Sequence, residues 1–320
     1  MSREQVKGAI VCAGDIVPDI LIPYGQTLDA IAKLSDGCVT TSNPSLRPGG
    51  AVANTAAVLG KLGMCPIMLG GLGSDEYGDY LLSHMKDCKV QTEYVFRQPE
   101  RMSLVLAVLD NSGERVLYLY NGPGAKLPEL SEDTLPYDLI PKIGWLHTNG
   151  FANNATVDFM ERCRAAGAMV SFDLNLRCET FDLDKVRRRR LERAVQASNV
   201  ILGSGAEEFS PLTGETDIIV AAKVLCNGER VVVARDGANP IHLFDHEAYQ
   251  CIPVTPVKAV NKVGGGDAFN AGFIAAYALG HSAVEAVRWG CQCAVAAISS
   301  HEPHNAPLRA ELESDCKKEY

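Results

Sequence analysis

The sequence has no excess of basic charge, no Cys-x-x-Cys pair, no apolar run long enough to cross a bilayer and no internal repeat. Thirty Lys and Arg against 39 Asp and Glu give a net charge of −9, which argues against nucleic acid as the main partner. The basic run Arg187-Arg188-Arg189-Arg190 stands beside Asp182, Asp184 and Glu192, so a solvated helix face is expected there. Eleven cysteines are present, but they are scattered, and Cys291-Gln292-Cys293 is their only close pair. That pattern excludes a zinc ribbon and speaks against a disulfide framework. The N-terminal residues run directly into a strand-like Gly8–Cys12 without the apolar core of a signal peptide. The expected location is the cytoplasm, with reduced thiols and no membrane partner.

Two phosphate-binding fingerprints also fail. Gly71-x-Gly73 has Glu76 where the dinucleotide motif needs a third glycine, and Gly60-Lys61 is followed by Leu62 where a P-loop needs Ser or Thr. Neither a Rossmann dehydrogenase nor a P-loop kinase is indicated.

What is present is an unusual glycine-rich stretch, Asn261-Lys262-Val263-Gly264-Gly265-Gly266-Asp267-Ala268-Phe269, leading into an apolar helix that stops at Gly280. Glycine lets the backbone approach a ligand closely, and the free N–H groups and dipole of a helix start attract an anion. An acid at such a mouth suits a base that takes a proton from a hydroxyl attacking a phosphoryl group. The alternative is that Asp267 merely caps the helix.

The rest of the chain alternates short apolar strands with helices, beginning at Ala9–Cys12 and resuming from Ile143. Arg47-Pro48-Gly49-Gly50 opens a small-residue helix from which Asn54 projects. Those glycines fit either a polar ligand or close helix–sheet packing. Thr92–Phe96, Leu104–Leu109 and Arg115–Tyr120 are strand-like runs with short connections such as Asn111-Ser112-Gly113, a hairpin signal. Together with the Thr40-Thr41-Ser42 region they predict a small sheet acting as a lid. The expected architecture is one αβα sandwich over residues 1–320, with a mostly parallel central sheet and a β lid from segments near 20–45 and 92–120.

These residues resemble the ribokinase (PfkB-type) family of carbohydrate kinases. Gly49-Gly50-Ala51-Val52-Ala53-Asn54 through Gly60-Lys61-Leu62-Gly63 is similar to its N-terminal signature, and Gly264-Gly265-Gly266-Asp267 with Ala268–Phe273 to its C-terminal one. Gly71-Leu72-Gly73-Ser74-Asp75, Gly113-Glu114-Arg115 and Phe172-Asp173-Leu174-Asn175-Leu176-Arg177 support the match. The resemblance implies a ribokinase-like fold and transfer of the γ-phosphoryl group of Mg-ATP to a sugar or sugar acid. It makes Asp267 the base and places the anion hole at Gly264, Gly265 and Gly266. Asp19, Gly49, Gly50 and Asn54 would bind substrate. Glu208 would help place Mg2+ through water. Asn175, Ser204, Arg235, Gly237 and Lys262 would lie by the nucleotide.

Three departures stand out. Asn261-Lys262 replaces the family's Asp-Thr, so the monovalent-cation site is expected to be weakened, with the Lys262 ammonium in place of the ion. Gly205 occupies the Asn position of Asn-x-x-Glu, with Ser204 as partial compensation. Arg235-Asp236-Gly237-Ala238-Asn239 departs from the usual glycine pattern near the nucleotide. The Asp173–Arg177 segment resembles fructokinases and 2-keto-3-deoxygluconate kinases more than nucleoside kinases. Arg177 could meet a substrate phosphate or carboxylate, or pair with Glu179 or Asp173. A nucleoside kinase of the same family and a sugar- or nucleotide-binding protein with lost or weak turnover are the alternatives. His301-Glu302-Pro303-His304 has no nearby ligand partners in sequence, so a loop near the nucleotide is expected there and not a metal site. A homodimer through the lid is a further expectation.

Overall fold

The computed structural model describes residues 4–24, 43–110, 115–121, 125–178, 181–260 and 262–315. The Thr40–Ser42 region, the Asn111–Gly113 connection and Asn261 lie outside them.

Alternating burial along the strands builds two cores, one on each face of a nine-stranded sheet. Ile10 and Cys12 of β1 (Ala9–Ala13) face one helical layer, while Val11 and Ala13 face the other. Strands β2 (Val17–Pro23) and β3 (Ser45–Gly49) leave this sheet. The chain returns through helix α1 (Ala51–Lys61) to β4 (Ile67–Gly73), which pairs parallel with β1. Helix α2 (Glu76–Asp87) begins at Asp75, whose carboxylate accepts the Gly78 N–H at 3.0 Å. It leads to β5 (Val95–Gln98), which pairs parallel with β4 at the sheet edge. The Thr92–Phe96 run therefore ends a βαβ crossover and does not join the small sheet. Its half-buried residues resemble those of a hairpin strand, and sequence alone did not separate the two.

The small sheet has the order β3-β2-β7-β8, with β7 at Leu104–Leu109 and β8 at Arg115–Tyr120. Pro48 sits in β3, an edge strand, where a missing N–H costs no interior ladder bond. A separate two-stranded pair is formed by β6 (Arg101–Met102) and β9 (Ala125–Lys126).

From β10 (Ile143–Asn149) the main sheet continues parallel through β11 (Met169–Asp173), β12 (Val200–Ser204) and β13 (Val231–Arg235). It closes with antiparallel β14 (Ile241–Asp245) and edge strand β15 (Ala248–Ile252). Helices α3 (Asn154–Ala165), α4 (Lys185–Gln196), α5 (Ala206–Thr213) and α6 (Ile218–Cys226) cover one face. The other face is covered by α1, α2, α7 (Gly265–Ala278) and α8 (Ala283–Ile298). Helix α7 is apolar on all sides and buried along nearly its whole length, as a helix sandwiched between others must be. A short helix, α9 (Arg309–Asp315), follows α8.

The basic run on α4 is not wholly solvated. Arg187 is buried, donates to the Phe181 carbonyl and lies 5.8 Å from the Phe181 ring centroid. Arg188 reaches the Pro211 carbonyl at 2.5 Å. The apolar stems and planar heads of these arginines cover the helix ends, so charge count alone misjudged their exposure.

Candidate active site

Two glycine-rich helix starts meet at the carboxyl ends of the central strands, and they differ in one decisive way. At α1, the carboxylate of Asp15, just beyond β1, accepts the Ala51 N–H at 2.7 Å and the Asn149 side-chain amide at 2.9 Å. That helix start already holds an anion. At α7, Gly264 is the cap residue with φ +79°, and among the described residues no side chain caps the helix. The first-turn N–H groups of α7 have no partner within the helix, and Gly266 is exposed. An incoming phosphate therefore meets an open helix start at Gly264–Gly266 and a filled one at Ala51.

Asp267 is the third residue of α7, not its cap. Its Oδ2 accepts from Asn54 Nδ2 at 2.7 Å, and its carbonyl accepts from Thr55 Oγ1 at 3.2 Å. These bonds tie α7 to α1. Burial lifts the Asp267 pKa from 3.8 to about 7, with the Asn54 amide opposing, the Asp173 and Asp15 charges adding, and Arg235 opposing again. The acid is thus poised to hold a proton near neutrality, which suits a general base.

Glycine at 49 and 50 has a local reason. A Cβ on Gly49 would collide with the Asp19 carboxylate. Gly50 has φ +94°, and a Cβ there would strike the Asp15 carbonyl. The close approach is to the Asp19 carboxylate and the Asp15 backbone, which leaves Asp19 lying against the helix entrance. Asp19 belongs to β2 of the small sheet, opposite Arg47 in register. Asp19, Arg47, Asn54, Gly264 and His304 line one cleft with about 490 Å³ of empty space open to solvent.

Arg235, at the end of β13, fastens the other side. It donates to the Gly203 carbonyl at 3.2 Å and the Gly266 carbonyl at 2.8 Å, lies 3.5 Å from Asp173 Oδ1, and stacks 4.9 Å above the Phe269 ring centroid. Its guanidinium therefore braces the first turn of α7 from within the protein. Asp173 is buried, and burial raises its pKa despite the Arg235 charge. Glu208, capped by the Ser204 N–H at 2.7 Å, is lifted to about 8 by burial and by Asp173. The positive charge of Arg177 favours the ionised form of both acids.

Of the residues singled out by sequence, Asp267, Gly264–Gly266, Asn54, Gly49, Gly50 and Asp19 gather around the two helix starts. Ser204, Glu208, Arg235 and Arg177 gather around Asp173. Asn175 follows β11 with φ +36°, a left-handed conformation that asparagine tolerates better than most residues. Gly205 has φ +75° and ψ 153°, a backbone state that glycine alone adopts readily. Gly237 stands apart, in the exposed turn after β13, and Lys262 is exposed beside the α7 entrance. Sequence reasoning passed over Asp15 and Asn149, although the break of a buried strand at Gly14-Asp15 was a signal for the first. It expected His304 in a loop near the nucleotide, and the structure places His304 in the Asp19 cleft, with Nε2 2.7 Å from Asn54 Oδ1.

Residues 17–310 match the pfkB family of carbohydrate kinases. The chain belongs to that family. It is 31% identical to a fructokinase of Salmonella typhimurium over 241 residues, 72% of this chain and 77% of that one. It is also similar to the fructokinase of Vibrio cholerae O395 in its fructose-, ADP- and calcium-bound form, with TM-score 0.80 and 25% identity over 97% of this chain and 99% of that one. A putative ribokinase II from E. coli shares the fold with TM-score 0.81 at 20% identity, over 97% and 99% of the two chains. This carbohydrate kinase is a phosphotransferase with a sugar hydroxyl as acceptor. Its acidic pair also suits a hard cation. Asp173 Oδ1 is buried without a hydrogen-bond partner among the described residues, and the Asp173 charge raises the proton affinity of Glu208. Two crowded carboxylates of this kind match the oxygen ligands that Mg2+ prefers.

Proposed function

We propose that this kinase transfers the γ-phosphoryl group of Mg-ATP to a hydroxyl of a ketose or sugar acid, with fructose and 2-keto-3-deoxygluconate as the leading acceptor types. The observation that carries the reading is the open helix start at Gly264–Gly266 with an elevated-pKa acid, Asp267, in its first turn. The N–H groups of that turn hold the transferring phosphate, and Asp267 takes the proton as the attacking oxygen becomes acidic. Asn54 orients the Asp267 carboxylate through its 2.7 Å bond. Asp19, against Gly49, fixes sugar hydroxyls. Mg2+, when bound, neutralises charge on the phosphates, and Glu208 and Asp173 would hold it, Glu208 through water. Arg177 meets an acidic group of the sugar or a phosphate.

The similarity to fructokinases supports the acceptor class. A nucleoside acceptor is disfavoured because, among the described residues, the cleft is lined by no Phe, Tyr or Trp that could stack on a base. An ATP-turnover panel of ketoses, aldoses, sugar acids and nucleosides is expected to give its highest kcat/KM with a ketose or keto sugar acid. Preference for a nucleoside, or no turnover with any acceptor, overturns the reading. In the same panel, potassium should change the rate little, since the Lys262 ammonium substitutes for a bound monovalent ion. Strong activation by potassium would sink that part.

The β2, β3, β7 and β8 sheet serves as the lid, and we assign it a second task as a homodimer surface. On its outermost strand Val116, Leu117, Tyr118, Leu119 and Tyr120 are 37–50% exposed, apolar on both faces beside an edge that is unpaired among the described residues. Light scattering on the wild type should give a dimer, and Leu117→Lys/Leu119→Lys should shift it to monomer. A wild type that is monomeric at every concentration would refute this assignment.

A further inference from the structure

His304 lies beside two other potential metal ligands from a distant part of the chain. His84, on the last turns of α2, places Nε2 2.9 Å from His304 Nδ1. Cys88, four residues further on, places Sγ 3.4 Å from the same His84 nitrogen. The three donor atoms all lie within 4.8 Å of one another. The i, i+4 spacing puts His84 and Cys88 on one helix face, and the loop after α8 brings His304 over them. The sequence expectation of no ligand partners for His304 is thus corrected: the partners are 220 and 216 residues away along the chain.

We propose that His84, Cys88 and His304 form a binding site for a zinc-class divalent cation, separate from the Mg2+ that accompanies ATP. Zinc bonds of about 2.0–2.1 Å to nitrogen and about 2.3 Å to sulfur, arranged tetrahedrally, separate two nitrogens by about 3.3 Å and a nitrogen from sulfur by about 3.6 Å. The observed 2.9 and 3.4 Å fall a few tenths of an ångström short, so the site opens slightly around an ion. Three protein ligands leave a fourth position for water. Two imidazoles and a thiolate select Zn2+ or Co2+ over Mg2+, which takes oxygen ligands.

A further observation is independent of those distances. His304 Nε2 lies 2.7 Å from Asn54 Oδ1, while the Asn54 amide nitrogen donates to Asp267. His304 must therefore carry its proton on Nε2, and its Nδ1 lone pair faces His84 and Cys88. A ligand imidazole with its second nitrogen anchored to a carbonyl is the usual outer support of a metal site. Burial lowers the pKa of both imidazoles, with Lys61 adding, and His84 pushes His304 further, to about 3. Burial raises the Cys88 thiol pKa, with the Lys61 charge opposing and Asp87 adding, so without an ion Cys88 stands as the thiol. On binding, Cys88 loses its thiol proton to solvent, and His84 moves its proton from Nε2 to Nδ1, so one proton is released per ion. The ion then sits one imidazole and one amide away from the Asp267 carboxylate.

The test is a Co2+ titration of the full-length protein, free of nucleotide and with Mg2+ present. It reads metal binding and not phosphoryl transfer, so it can succeed or fail independently of the proposed reaction. One Co2+ per chain should give a thiolate-to-cobalt charge-transfer band, and added Zn2+ should displace it. Cys88→Ser should abolish the band, and His84→Ala should weaken binding by at least about tenfold. Cys65→Ser/Cys251→Ser, which removes two exposed thiols, should leave the band intact. Absence of a stoichiometric band in the wild type, or a band that survives both Cys88→Ser and His84→Ala, would overturn the site. If Cys88→Ser fails to fold, the His84→Ala titration decides alone.

Discussion

Asp267→Asn is expected to lower kcat by about 10²–10⁴-fold, the usual contribution of a positioned general base, with little change in KM for ATP. The amide keeps the shape of the carboxylate and can still accept from Asn54, so the helix contact survives while the base is lost. Wild-type kcat/KM should rise with pH through about 7 and level off above it, because the free enzyme must lose the Asp267 proton to act. The sign for stability is opposite. The folded state holds this proton more tightly than the unfolded chain, whose Asp ionises near 3.8. Stability contributed at low pH is therefore lost as pH rises from 3.8 through about 7. Asp267→Asn lacks that loss, so its melting temperature should exceed the wild-type value more at pH 8 than at pH 5. A variant within tenfold of wild-type kcat, or an equal melting-temperature gap at both pH values, contradicts the assignment.

The parts of this site that were legible in the sequence are those built from local backbone. Gly264–Gly266 before an apolar run announced a helix start, and the structure places a helix at Gly265–Ala278. The strands β10 to β13 were legible because burial on both faces makes nearly continuous apolar runs. What stayed hidden depends on contacts between distant residues. Gly49 and Gly50 fitted ligand approach and close packing equally well, and only the fold shows that Asp19 and Asp15 fill the space beside them. β5 carried too short a pattern to reveal which sheet it joins. Arg187 was read as solvated because nothing in the run distinguishes the arginine that turns inward. His84, Cys88 and His304 share no sequence signal, since their proximity is made by the loop after α8.

Arg235→Leu should destabilise the fold by about 3–5 kcal/mol, the range for removing one partner of a buried ion pair. Three interactions are lost together: the bonds to Gly203 and Gly266 and the 3.5 Å approach to Asp173. Asp173 is then left buried with its strongest stabilising charge gone, so its already raised pKa climbs further. The loss should therefore be larger at pH 8, where the stranded carboxylate is forced to ionise, than at pH 5, where it can stay protonated. Adding Asp173→Leu should recover a large part of the stability, because replacing both partners removes the uncompensated charge. It should not recover activity, since the Gly266 carbonyl remains unbraced and the open helix start beside Asp267 loses its fixed geometry. Arg235→Lys should rescue poorly: one ammonium cannot span two carbonyls and a carboxylate as a planar guanidinium does. Urea midpoints for the single and double variants at the two pH values decide the matter. A single variant within about 1 kcal/mol of wild type, below the range for a broken buried pair, would mean that Arg235 does not hold the anion-hole turn in place.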